Sequence, residues 1–103
     1  MGEQFTTSCD GEVFIIKVMG ALDFRAHQTF RECYESAPAG VIRYVVDFQH
    51  ATRLDSSALG MLMLLRDHAG GDHQVQLQHP TGDVRRTLEV ANFQILFDIQ
   101  EGS

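Results

Sequence analysis

Two apolar runs stand close together in the middle of the chain, and the residues between them constrain the fold more than any other stretch. The first, Val41 to Phe48, contains Tyr44-Val45-Val46-Asp47-Phe48 and reads as a strand apolar enough to be central in a sheet. The second, Met61-Leu62-Met63-Leu64-Leu65, belongs to a helix expected to run to about Ala69 and to end at Gly70-Gly71. A short polar link and then Leu54-Asp55-Ser56-Ser57-Ala58-Leu59-Gly60 join them. An acid and two hydroxyls therefore fall where a helix begins. A helix start leaves backbone N–H groups unpaired and carries partial positive charge. Asp55 is the N-cap candidate, because its carboxylate can accept one of those N–H groups. Ser56 then occupies the first turn, half exposed, where an added phosphate is favoured by the dipole.

The flanking sequence extends the alternation. Phe5 to Ser8 reads as a short strand. Asp10-Gly11 signals a type I′ hairpin turn, Val13 to Met19 is the returning strand, and Gly20 ends it. Asp23 can cap a helix starting near Phe24, with Ala26, Phe30, Cys33 and Ala37 on one buried stripe and Pro38 and Gly40 as its stop. After the central helix, Val75 to Gln78 alternates as a strand with one buried face. Pro80 to Ala91 gives a third helix, with Val84, Leu88 and Ala91 inward. Asn92 suits a left-handed position, and Ile95 to Ile99 closes as a strand. Strands alternating with helices favour parallel pairing through right-handed crossovers, and the initial hairpin makes the sheet mixed. The expectation is one α/β domain over residues 1–103, without linker or repeat.

Composition narrows the function classes. Hydrophobic residues make up 44%, ordinary for a globular domain with one core. The net charge is -6, and the bases are Lys17 and seven scattered arginines. Nucleic acid and anionic membranes both need a basic face, so neither is an expected partner. No apolar run has the length to cross a bilayer, and the first residues show no signal core, so cytoplasm is the expected compartment. Met1-Gly2 with Thr6 formally matches a myristoylation pattern, but Phe5 reads as the start of a strand. Cys9 and Cys33 suggest no disulfide framework, and the histidines show no helical pair at metal spacing. No metal and no cofactor are expected.

The central helix has two faces. Ala58, Leu62, Leu65 and Ala69 form the natural core stripe. Ser56, Gly60, Met63 and Asp67 share another line, and Leu64 points away from the core stripe. That second face suits a docking partner: Gly60 permits close approach, and Met63 and Leu64 supply adaptable apolar area. A neighbouring helix covering Met63 and Leu64 is the other reading the periodicity allows.

These residues resemble the STAS domain of the bacterial anti-sigma factor antagonist family. The resemblance spans nearly the whole chain. It is carried by Val45-Val46-Asp47-Phe48 through Asp55-Ser56-Ser57-Ala58-Leu59-Gly60, by Gly20-Ala21-Leu22-Asp23, and more weakly by Val84-Arg85-Arg86-Thr87-Leu88. It implies a STAS-like fold, with a mixed sheet and helices packed mainly on one side. It implies phosphorylation at Ser56, the serine directly after the motif aspartate, with Asp23, Asp55 and Ser57 as the phosphosite motif. It implies that the unphosphorylated domain binds a serine kinase or anti-sigma factor of the histidine-kinase-like ATPase type, through the helix after Ser56. It implies a PP2C-type phosphatase that restores the unmodified form. Ala58 stands where the family commonly has glycine, and no final helix is read after the last strand.

Two other functions compete. A hydrolase nucleophile sits on a glycine-flanked elbow, G-x-S-x-G, whereas Ser56 is flanked by Leu54 and Ala58, although His50 is close in sequence. The chain is therefore expected not to be an enzyme, with no catalytic residue. On spacing alone, a capped helix is the first reading of Asp55-Ser56, ahead of a functional serine. Small STAS domains also serve as accessory subunits of bacterial lipid-transport ABC systems, often with threonine or glycine at the Ser56 and Ser57 positions. Asp-Ser-Ser favours a phospho-regulated, partner-switching protein of signal transduction and transcription regulation.

Overall fold

A computed structural model describes residues 4–70 and 74–101. Its elements are β1 (Phe5–Asp10), β2 (Val13–Leu22), α1 (His27–Glu35), β3 (Arg43–Leu54), α2 (Ser56–Ala69), β4 (Val75–Gln78), α3 (Gly82–Val90) and β5 (Asp98–Gln100). Short 3-10 turns, Phe24–Ala26 and Phe93–Ile95, precede α1 and β5. The Met1-Gly2 pattern and the Gly71 helix stop lie outside the described residues.

The strands form one five-stranded sheet in the order β1-β2-β3-β4-β5. β1 and β2 are antiparallel, and every other neighbouring pair is parallel. Successive crossovers thus step in one direction across the sheet. With right-handed connections, that progression places all three helices on one face. Phe14, Ile16, Val18, Tyr44, Val46, Phe48, Val75 and Leu77 alternate onto that face. Phe30 and Tyr34 from α1, Ala58, Met61, Leu62 and Leu65 from α2, and Val84 and Leu88 from α3 meet them in one core. The fold is the mixed α/β sheet with one-sided helices expected from the sequence, and β3 lies at its centre.

Local details depart from the sequence reading. β3 does not end at Phe48: Gln49 to Leu54 continue it, with Ala51 and Leu54 buried. The first turn has Asp10 paired with Val13, so its central residues are Gly11 and Glu12. Only Gly11 has positive φ, at 63°, which is the pattern of a type II′ turn, not type I′. Gly20 does not end β2. It takes φ 74° where the β2–β3 register shifts, so it forms a bulge that lets the strand continue to Leu22. The Gln4 amide donates to the carbonyls of Met19 (3.1 Å) and Ala21 (2.5 Å) on either side of the bulge, satisfying acceptors the irregular ladder releases. The run from Ile95 is not a strand at first. Phe93–Ile95 is a 3-10 turn in which Phe93 stacks on Phe97 at 5.1 Å, and pairing with β4 begins only at Asp98.

Candidate functional site at the start of the central helix

Leu22 and Leu54 are register partners at the carboxyl ends of β2 and β3, and both are buried. The Asp55 amide donates to the Leu22 carbonyl at 3.3 Å. The next residues, Asp23 and Asp55, therefore leave the sheet side by side, each to start a helical segment.

Asp55 is the N-cap of α2 in an extended conformation, and its Oδ1 accepts the Ala58 amide at 3.0 Å. The same oxygen accepts the Ser57 hydroxyl at 2.6 Å. These bonds, the Ser57 hydroxyl foremost, hold the Asp55 carboxyl below its ordinary value, while burial and the Asp23 charge oppose them. Ser57 is half-buried and committed to its cap. Ser56 is exposed, and among the described residues its hydroxyl has no hydrogen-bond partner, His50 included.

Asp23 caps the 3-10 turn before α1, accepting the Arg25 amide at 3.0 Å. It also holds the Arg25 guanidinium at 2.8 Å. That hydrogen bond keeps the Asp23 carboxyl below its ordinary value, with a smaller contribution from Arg53. The three motif residues Asp23, Asp55 and Ser57 thus belong to two adjacent caps that fix the position of Ser56.

The face of α2 beyond Ser56 is open in part. Gly60 is exposed, with nothing within 4 Å of where a Cβ would stand. Leu64 is 46% exposed, so no neighbouring helix covers it. Met63 is half-buried and packs against the core from the edge of the stripe. Met61, which the core stripe read from the sequence left out, is buried at 2%. Gly70, left-handed at φ 95°, closes α2 after Ala69, the expected end.

One feature of the site was not legible in the sequence. A groove of about 340 Å³ separates the start of α2 from α3, lined by Ser56, Leu59, Arg86, Thr87, Val90 and Ala91 among others. Val90 is 78% exposed at its rim. The only hint was the Val84–Leu88 segment of the family resemblance, since the groove needs two helices brought together across the sheet. Among the described residues there is no cluster able to hold a metal ion, and no helix is long and apolar enough to cross a membrane.

The sheet order, the one-sided helices and the capped helix after the central strand define a class of small α/β folds, and sequence comparison makes it specific. Residues 5–98 match the family model described as "Mlab, STAS domain", and the chain belongs to the STAS domain family. A STAS-domain containing protein of Pseudomonas aeruginosa (strain UCBPP-PA14) is 52% identical over 93 residues, covering 89% of this chain and 92% of that protein. Among solved structures, an anti-sigma factor antagonist from Mycobacterium paratuberculosis superposes with a TM-score of 0.79 at 16% identity, over 95% of this chain and 85% of that one. The anti-sigma factor antagonist SpoIIAA in its unphosphorylated form gives 0.69 at 22%, over 96% and 89%. The Bacillus cell fate determinant SpoIIAA in its phosphorylated form gives 0.69 at 20%, over 96% and 91%. At these identities the structural likeness establishes the fold.

Proposed function

We propose that this chain is a phospho-regulated partner-switching protein of the anti-sigma factor antagonist type, acting in the cytoplasm and without enzymatic activity of its own. One observation carries the reading. Of two adjacent hydroxyls at the start of α2, Ser57 is locked to Asp55 and Ser56 stands free and exposed. A kinase must bring an acceptor hydroxyl into its own active site, and only an exposed, uncommitted hydroxyl meets that need without breaking a cap. Ser56 Oγ then attacks the γ-phosphorus of ATP held by the kinase. The new O–P bond forms as the bond to the β,γ-bridging oxygen breaks, ADP leaves, and the hydroxyl proton passes to a base on the kinase. A PP2C-type phosphatase reverses the modification with water, releasing inorganic phosphate.

The unmodified chain binds a serine kinase or anti-sigma factor of the histidine-kinase-like ATPase type through Gly60, Met63 and Leu64. A phosphate of about -1.5 to -2 charges beside that surface opposes docking, because desolvating an unmatched charge costs several kcal/mol. The relative named for a STAS domain and the SpoIIAA structures, solved in both phosphorylation states, support this assignment. The test is mass spectrometry of the chain incubated with ATP in the soluble fraction of its host. Phosphate is expected on Ser56. Phosphate mainly on Ser57, or none on either serine, contradicts the reading. The latter result would favour the other STAS role, an accessory subunit of a bacterial lipid-transport ABC system without phospho-switching.

A further inference from the structure

The adjacent arginines of α3 differ in their commitments. Arg85 is engaged twice, with Glu89 at 3.6 Å and with Glu101 near the end of the described chain. Arg86 is exposed and, among the described residues, forms no ion pair or hydrogen bond. It lines the groove between α2 and α3, and Ser56 lines the same groove from the other helix. Arg25 is bound to Asp23. Among the described residues Arg53 is, like Arg86, exposed and without an ion pair, but Arg86 is the arginine that lines the groove with Ser56.

We propose that Arg86 is the intramolecular receptor for a phosphate on Ser56, joining α2 to α3 across the groove in the modified state. The proposal rests on the phosphorylation of Ser56 put forward above and adds the residue that reads it. A guanidinium offers parallel N–H donors that match two phosphate oxygens, an arrangement a lysine cannot reproduce. Leu54, Leu59, Val90 and Ala91 make much of the groove wall apolar, and the one acid in its lining, Asp55, is committed to the cap of α2. The charged groups surrounding the phosphate are Asp55 next to it, Asp23 with Arg25 and Arg53 at the neighbouring cap, and Arg86 opposite. The acids disfavour a second negative charge on the phosphate, and Arg86 restores it. Phosphorylation then does more than add charge to the docking face. It ties down a side chain at the rim of the groove and closes the space between the two helices.

Installing phosphoserine at position 56 during synthesis makes the test independent of any kinase. Phosphorus NMR across pH then follows the second ionisation of the phosphate, ordinarily near pH 6. A facing cation favours the dianion and lowers that pKa. The phosphoprotein is expected to titrate about half a unit or more below its Arg86→Gln counterpart, with Arg86→Lys between them. Arg85→Gln and Arg53→Gln are expected to leave the value near that of the parent phosphoprotein. Each variant replaces an exposed side chain, and circular dichroism verifies its fold. Equal titration of the parent and Arg86→Gln phosphoproteins overturns the proposal, as does a larger shift from Arg53→Gln. Failure here leaves the phosphoacceptor assignment standing, whereas absence of phosphate on Ser56 in the host refutes that assignment and not this geometry.

Discussion

Asp55 accepts two hydrogen bonds on one oxygen, from the Ala58 amide and the Ser57 hydroxyl, and so sets both the start of α2 and the difference between two neighbouring serines. Its carboxyl is held below the ordinary value of 3.8, chiefly by Ser57. The charged form is thus favoured in the folded state. Its contribution to stability is complete above the unfolded pKa and is lost as pH falls through the lower folded value. Asp55→Ala should cost about 1 kcal/mol at neutral pH, a typical cap loss. That corresponds to a fall in Tm of roughly 4–8 °C for a domain of this size. The Tm difference between parent and variant should then shrink as pH drops below 3.8, the ordinary value. Thermal melts from pH 7 downward check this, and a difference that stayed constant into acid would show that Asp55 does not act through its charge.

At the scale of elements, α2 carries buried leucines on one side and an exposed one on another. Leu62 is fully buried in the core, and Leu64 is nearly half exposed two residues later. Leu62→Ala should lower stability by about 2–5 kcal/mol, the usual range for a buried leucine. Leu64→Ala should leave the denaturation midpoint nearly unchanged and weaken partner binding. Paired denaturation and binding curves test both. A Leu64→Ala variant as destabilised as Leu62→Ala would place Leu64 in the core and remove it from the docking face.

The elements also show what the sequence could and could not reveal. α2 and β4 were legible to the residue, because Asp55, Gly70 and the Val75–Gln78 alternation are local signals. The extension of β3 through Gln49-His50-Ala51-Thr52-Arg53 was not, since its side chains are mostly polar and β-pairing with β2 decides it. Gly20 looked like a stop because a glycine in a strand does not announce whether the chain ends or bulges. Ile95 to Ile99 reads as strand because its apolar residues fit either conformation, but Ile95 closes the 3-10 turn in which Phe93 packs on Phe97, and the strand begins only at Asp98. In the site, the cap was visible in the spacing, whereas Ser56, expected to be half exposed, is exposed. The groove was not visible, because it depends on residues of α2 and α3 being brought together across the sheet.

For the whole molecule, the phosphate is expected to act on association and not on folding. The dipole and free N–H groups of α2 favour a negative group at its start, so the helix should remain intact. The core lies on the far side of α2 from Ser56, built from Ala58, Met61, Leu62 and Leu65 against the sheet. Ser56→Asp should therefore keep the circular dichroism spectrum and Tm of the parent while losing its partner. A loss of about 1.4 kcal/mol already weakens binding tenfold. The most direct measurement is a quantitative pull-down from host lysate with Ser56→Ala and Ser56→Asp as paired baits, followed by the phosphorylated chain itself, which carries more charge than aspartate. An ATPase of the histidine-kinase-like type is expected on Ser56→Ala at least about tenfold more than on a folded Ser56→Asp bait, one such free-energy increment. Equal recovery on the Ser56→Ala and phosphorylated baits, or a Ser56→Asp chain that does not fold, would contradict it.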